Sequence, residues 1–320
     1  MNQQKKLIHF CKILMLEKNT FKIISLNKAF VSILFFLSLL ANQYYGYRGV
    51  FPIDSFLIFD AAYNITSGHY PFKDYWTITG PLLDYIQALF FLMLGINWFS
   101  YVLHASILNM ILTLFSFYFF LNIGLKNYYA FIYSLGVLIL TYPSAGTPFV
   151  DHHAVIFSVM GLYSLVLGIL LNKNLFWFLI PVFIVFSFLS KQIPAPYLSI
   201  LFTFVIFYYF FLSKDLYKKI LLYLIAGCLF AFLIIISIFL INEIPIKNFL
   251  IQYVFYPMSL GEGRIHALNN ALIHEFKLLK GIVLYFKFLF LVLIPLLIST
   301  FFLLKIKVKD LVQKKELIVI

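Results

Sequence analysis

Eight stretches of this chain run almost without charge for long enough to cross a bilayer: about 30–46, 101–121, 128–143, 154–171, 175–190, 197–213, 220–241 and 282–304. The last holds Lys287, near enough to one end to snorkel. Crossing roughly 30 Å of hydrocarbon takes about 20 apolar residues. Each crossing must satisfy its own backbone, so the runs predict helices rather than open sheet. Composition agrees: 63% of the residues are hydrophobic, 20% aromatic and 11% charged, against roughly 45–50% apolar and about 25% charged in soluble domains. Too little polar surface remains to cover a water-soluble body. A soluble enzyme, a disulfide-rich secreted module and a disordered chain are excluded. The net charge of +12 sits at the ends of the apolar runs rather than on one face, which argues against nucleic acid as a partner. Cys11 and Cys228 lie far apart and suggest neither a disulfide framework nor a zinc site.

A ninth run, 81–96, is shorter and contains Asp84 and Gln87. It reads as an amphipathic helix at the membrane interface, with Asp84 on its wet face. Counting it as a span would invert everything after it, and positive charge decides the matter. With eight spans and an internal N-terminus, the cytoplasmic pieces hold 16 of the 24 Lys and Arg but only four of the twelve acids. A nine-span topology moves ten of those lysines outside, against the positive-inside rule. The expectation is an all-α membrane protein of about eight transmembrane helices, plus amphipathic juxtamembrane helices in the first outer loop. It forms a single polytopic domain over 1–320, with a basic cytoplasmic tail at 1–29, outer loops at 47–100 and 242–281, and a second basic tail at 305–320. The N-terminus reads as an uncleaved anchor, and compactness with basic ends suggests a bacterial inner membrane.

Polar and irregular sequence gathers on the outer side. Nine of the eleven prolines fall there. Irregular backbone at membrane depth survives only against protein or a water-filled cavity, so a polar cavity is expected at the outer surface. Lys191 belongs to it. The stretch 175–213 lies between two lysine clusters and is long enough for two crossings, so its midpoint reaches the outer face beside Asp151. Such a cation either snorkels to lipid phosphates or binds an anion in the cavity.

The stretch 59–95, FDAAYNITSGHYPFKDYWTITGPLLDYIQALFFLMLG, reads as an acid, a helical turn with Ala61 and Ala62, a Ser67-Gly68 break, Tyr70-Pro71, Asp74, and a Pro81-initiated helix closed by Gly95. It resembles the first extracytoplasmic loop of the GT-C-fold polytopic glycosyltransferases, among them protein O-mannosyltransferases and lipid A aminoarabinose transferases. Asp60 falls on that family's first-loop catalytic acid. Asp151, in YPSAGTPFVDHHAVIF, falls on the acid at the outer start of the fourth span. The resemblance covers about residues 30–200. It departs at Thr77-Ile78-Thr79-Gly80, where the family commonly has an acid and a cation before the helix-opening proline.

The resemblance implies a membrane glycosyltransferase that moves a sugar from a polyprenyl-phosphate-linked donor to an acceptor on the extracytoplasmic side, among membrane lipids. Asp60 is then the candidate general base. Lys191 and Arg264 are candidate partners of the leaving phosphate. Asp151, with His152 and His153, could hold acceptor, phosphate or a divalent cation; if a metal is used, Asp60 and Asp151 are its candidate ligands. Tyr70, Asp74 and Gln192 complete the candidate binding residues. Each has a plainer reading: Asp60 as a solvated acid or helix cap, Asp151 as an N-cap, Tyr70 and Asp74 as shapers of a turn, Arg264 as a solvated loop cation. His152 and His153 are adjacent and face different directions on a helix. The competing functions are a lipid or small-molecule transporter or flippase, and an inactive, truncated member of the glycosyltransferase family.

Overall fold

The structure, a computed structural model, describes residues 28–48, 52–142, 146–212 and 217–261. Among them there are helices and no strands: α1 (Lys28–Gly46), α2 (Pro52–Thr66), α3 (Pro81–Leu94), α4 (Trp98–Asn122), α5 (Asn127–Thr141), α6 (Val150–Leu171), α7 (Asn174–Ser190), α8 (Ala195–Leu212), α9 (Tyr217–Ile241) and α10 (Ile246–Phe249), which runs on into a π-helical turn at Leu250–Phe255. The chain divides into two compact units, Met1–Pro257 and Met258–Ile320. All that follows concerns the first. The expected span at 282–304, Arg264 and the tail at 305–320 lie outside the described residues.

Seven of the eight expected spans coincide with helices. Four are long and apolar enough to cross a membrane: α1, α4, α6 and residues Lys218–Ile241 of α9. Helices α5, α7 and α8 are shorter apolar segments. The fifteen residues of α5 span only about 22 Å at 1.5 Å per residue.

Packing runs in neighbouring pairs, α6 on α7, α1 on α4, α7 on α9, α2 on α3 and α4 on α5. Between apolar helices in lipid there is no hydrophobic driving force, so contacts rely on small residues and polar bonds. Asn109 of α4 shows this: its Nδ2 donates to Asn42 Oδ1 at 2.8 Å and to the Leu138 carbonyl at 3.0 Å, tying α1, α4 and α5 together. Ser187 of α7 donates to the Ala154 carbonyl at 2.9 Å and shares a 2.8 Å bond with Ser158 of α6. Helix α9 lies directly on α7 at Gly227, where a β-carbon would stand 2.2 Å from the Phe178 carbonyl oxygen and 2.7 Å from Pro181. Its other faces carry exposed Leu222, Phe232, Leu233 and Leu240, a surface suited to lipid.

One end of the bundle is set by four contacts. Trp98 Nε1 donates to the Gly46 carbonyl at 2.8 Å. Gly146 abuts Gly46. His104 meets His153, and Lys191 meets Asp151. The first residues of α4 and α6 and the last of α1 and α7 therefore share a level. Helix α3 runs along this level. Gly80, before its first residue, sits against the Leu189 and Ser190 carbonyls of α7, and its last residue, Leu94, lies four residues before α4 begins.

Helix α3 is amphipathic in the opposite sense to the expectation. Asp84 and Gln87 are fully buried, while Leu89, Leu92 and Met93 are 57%, 70% and 68% exposed. The helix turns Asp84 and Gln87 toward protein together with Leu82, Leu83 and Phe91, and turns Leu89, Leu92 and Met93 outward. The wet-face reading of Asp84 is therefore corrected.

Candidate functional site

The cap over this end is built from loop 67–80, the turn after α7, and the segment after α9. Loop 67–80 folds on itself first. The Tyr70 amide donates to Asp74 Oδ2 at 2.7 Å, and the Asp74 amide donates to the Tyr70 carbonyl at 2.9 Å. Asp74 is thus occupied in shaping its own turn. Phe72 takes a positive φ of 66°, which turns its ring inward against Phe249 and Tyr253, with centroids 5.1 and 6.1 Å away.

Polar bonds then tie the loop to distant sequence. Lys73 pairs with Glu243 at 3.1 Å. Asn248 Nδ2 donates to the Phe72 carbonyl at 2.9 Å. The Thr77 amide donates to Gln252 Oε1 at 3.1 Å, and Asn242 Nδ2 donates to Tyr85 OH at 3.0 Å. Gln192 is the keystone of the three segments, its Nε2 donating to the Ile78 carbonyl at 3.0 Å and the Tyr253 carbonyl at 2.9 Å. Tyr253 in turn donates its hydroxyl to the Phe188 carbonyl of α7.

Beside this cap stand Asp151 and Lys191, which the structure joins as an ion pair with side chains 47% and 40% exposed. Asp151 lies in the first turn of α6, where a negative charge suits the helix N-terminus. It is not the N-cap, a place held by Phe149. Lys191 follows the last residue of α7 in extended conformation, its amide still donating to the Ser187 carbonyl at 3.0 Å. The pair is a carboxylate orienting an ammonium at a half-open surface, an arrangement that can present a cation to an anionic group.

Asp60 is exposed on α2, and among the described residues it makes no ion pair. It follows Phe59, which packs edge-on against Tyr101 in the first turns of α4, 5.3 Å between centroids. Asp60 and Asp151 thus belong to the same end of the bundle without being in contact. Tyr70 is half-buried at the cap's hydrophobic core of Phe72, Ile244 and Tyr253. No three His, Cys, Asp or Glu side chains converge on a metal-sized site among the described residues. Asp151 offers one carboxylate, already engaged by Lys191.

Sequence reasoning missed a buried polar chain beneath the pair. Gln87 Oε1 lies 3.0 Å from His104 Nδ1. His104 Nε2 lies 3.1 Å from His153 Nε2. His153 Nδ1 is 2.5 Å from Tyr142 OH. One proton order runs along the chain, Tyr142 donating to His153, His153 to His104 and His104 to Gln87; it leaves the Phe149 carbonyl, 3.1 Å from His153 Nδ1, without a proton from that ring. His153 is thus a structural hub, while His152 beside it is half-buried with an unpartnered Nδ1. The only sequence signal was weak, two histidines and a glutamine at the starts of apolar runs.

Asp84, one turn before Gln87, is the most isolated group at this end. Neither carboxyl oxygen has a partner, nor do the nearby Tyr75 hydroxyl and Gln87 Nε2. Burial pushes the Asp84 carboxyl well above the usual carboxylate range. Burial, with Asp84 and Tyr85 nearby, raises the Tyr75 hydroxyl. No family model, curated protein or solved structure is similar to this chain.

Proposed function

We propose that the chain is an integral membrane glycosyltransferase moving a sugar from a polyprenyl-phosphate-linked donor to an acceptor on the extracytoplasmic side, in an eight-span topology with both termini cytoplasmic. The observation that carries the reading is the Asp151–Lys191 pair, half-exposed beside a cap made from three separated segments. A lipid-linked donor keeps its tail in hydrocarbon, so its phosphate must be met at the membrane surface. Lys191 stands where a cation could take up the charge that grows on the phosphate as the sugar leaves. Asp151 orients that ammonium. Asp60, exposed at the same end, accepts the proton of the attacking acceptor hydroxyl or amine. The acceptor oxygen or nitrogen bonds to the sugar carbon, the carbon–oxygen bond to phosphate breaks, and the polyprenyl phosphate departs with that electron pair.

Binding of undecaprenyl phosphate to the full-length protein in lipid nanodiscs tests the reading. The wild type is expected to bind the phosphate at least tenfold more tightly than the free alcohol undecaprenol. Lys191→Ala should remove that preference. Equal binding of phosphate and alcohol by the wild type defeats the proposal.

A transporter reading draws on the buried ionisable groups Asp84, His104 and His153, since such residues inside bundles often mark translocation paths. Against it, these groups gather at one end, and the buried polar residues toward the other end are neutral, such as Thr113, Ser116, Ser134 and Ser164. Proton flux across liposomes containing the protein, above that of empty liposomes, would favour transport.

A further inference from the structure

We infer that Asp84 is a proton-binding site of the folded protein, a neutral carboxyl on which the cap closes, and that its ionisation opens the cap. The inference holds whatever molecule the cap covers. The geometry is that of a group enclosed on all sides. Asp84 is 0% exposed, with both oxygens unpartnered, and the Tyr75 hydroxyl and Gln87 Nε2 share its isolation. The ionisable groups set around it come from several elements: Tyr75 from the loop, with Asp74 beyond it; Tyr85 from α3 itself; Tyr101 from α4; and Tyr253 from the π-helical turn. Helix α2 contributes Ile58 and Ala62 to the surrounding core, and its Asp60 faces solvent. Helix α7 contributes Leu189.

Cations do not neutralise the carboxyl. Lys73 is engaged by Glu243 and Lys191 by Asp151, and among the described residues neither makes a second ion pair. An ionised Asp84 would be an uncompensated charge in an apolar enclosure, a state costing several kcal/mol. A protonated Asp84 is a neutral polar group of modest cost. Burial favours the protonated form strongly. Tyr75 and Tyr253 of the cap lie close enough to Asp84 to interact with its charge, and the bonds from loop 67–80 to Gln252 and Asn248 hold the cap down. Lifting the cap gives the carboxyl water and lets it ionise at its ordinary value of 3.8. Opening therefore releases one proton wherever the pH lies between that value and the raised one of the closed state.

One released proton makes the opening equilibrium rise about tenfold per pH unit. Hydrogen exchange of the full-length protein in nanodiscs reads this directly, from amides of 70–80 and 250–255 corrected for their intrinsic rates. In the wild type the opening constant should climb about tenfold per unit from mildly acidic to mildly alkaline pH, with α6 amides unaffected. In Asp84→Asn, which keeps shape and neutrality, the climb should vanish while protection stays at the wild type's acid level. Identical pH dependence in the two proteins overturns the inference. So does a cap in Asp84→Asn that is open at every pH. Infrared spectra give a second reading if that variant fails to fold. The wild type should show the C=O stretch of a protonated carboxylic acid at neutral pH, and Asp84→Glu should move it. A wild-type spectrum without that band also overturns the inference.

Discussion

The two halves of this bundle use polar residues for different ends. Away from the cap, polar side chains are neutral and local. Ser116, Ser134 and Ser164 each donate to a carbonyl four residues back on their own helix, Thr113 donates to the Asn109 side chain one turn back, and Asn109 links α4 to α1 and α5. The serine donors there have acceptors in their own backbone, while Asn42 Nδ2 and Trp177 Nε1 have none; the groups act mainly as adhesive. At the cap end, beside bonded neutral groups such as Ser100 and Ser190, stand buried groups that are ionisable or unpartnered: Asp84, Gln87, His104, His153 and the Tyr75 hydroxyl. Histidine pairs and lone carboxyls are poor adhesive, because their protonation must be managed. Buried serines stand at both ends, whereas among the described residues the buried Asp and His side chains stand at one. The contrast separates the two ends, and substitutions in each half test it.

The largest effect is expected where cap and bundle meet. A β-carbon at Gly80 would stand 2.1 Å from the Leu189 and Ser190 carbonyl oxygens, backbone atoms that cannot turn aside. Gly80→Val should destabilise the protein by about 3 kcal/mol or more, read as a fall in thermal midpoint of the solubilised full chain. It should also unprotect amides 70–80. A wild-type midpoint would mean that α3 is not seated on α7 as described.

Next comes pH. The folded-state value of Asp84 is raised by burial above its ordinary 3.8. Its favourable contribution is therefore fully present below that ordinary value and fades as pH rises toward the folded value. Over that window the wild type should lose about 1.4 kcal/mol per pH unit relative to Asp84→Asn. Parallel stability–pH curves for the two proteins would remove Asp84 from the contrast.

Asn109 probes the other half. Asn109→Leu removes the bonds to Asn42 and to the Leu138 carbonyl, and should cost about 1 kcal/mol without altering the pH dependence. A change in pH dependence would mean that the two halves are coupled.

Much of this architecture was legible in the chain, for physical reasons that differ by element. The run at 175–190 became Asn174–Ser190, and that at 30–46 became Lys28–Gly46, because span length and the positions of lysines constrain apolar helices strongly. The meeting of Asp151 with Lys191 was legible for the same reason: the length of 175–213 returns its midpoint to the level of residue 151. The orientation of α3 was not. In water an amphipathic helix hides leucines and shows acids, and the run 81–94 carries no mark saying which solvent it faces. Leu92 and Met93 turned outward once the neighbours were apolar. The His104–His153 contact was hidden because it joins helices 49 residues apart, and nothing in either run's periodicity points at the other. The roles of Tyr70, Asp74 and Gln192 depended on backbone partners, which sequence does not display.

The smallest expected stability effect is the most telling. The Asp151–Lys191 pair is nearly half exposed, and exposed ion pairs contribute about 0–1 kcal/mol. A double-mutant cycle with Asp151→Asn and Lys191→Met should give a coupling at the low end of that range, falling further with added salt. If so, the pair is not held together for the sake of the fold, since loss of either partner leaves the other in water. A lysine just past the end of α7 would then be kept in place for something that visits. The sharpening measurement is the same cycle in undecaprenyl phosphate binding. There Lys191→Met should cost more than tenfold, and Asp151→Asn less, because the unpaired ammonium still carries its charge but no longer its direction. A strong stability coupling with no binding effect would turn the pair into adhesive and dissolve the distinction between the two ends.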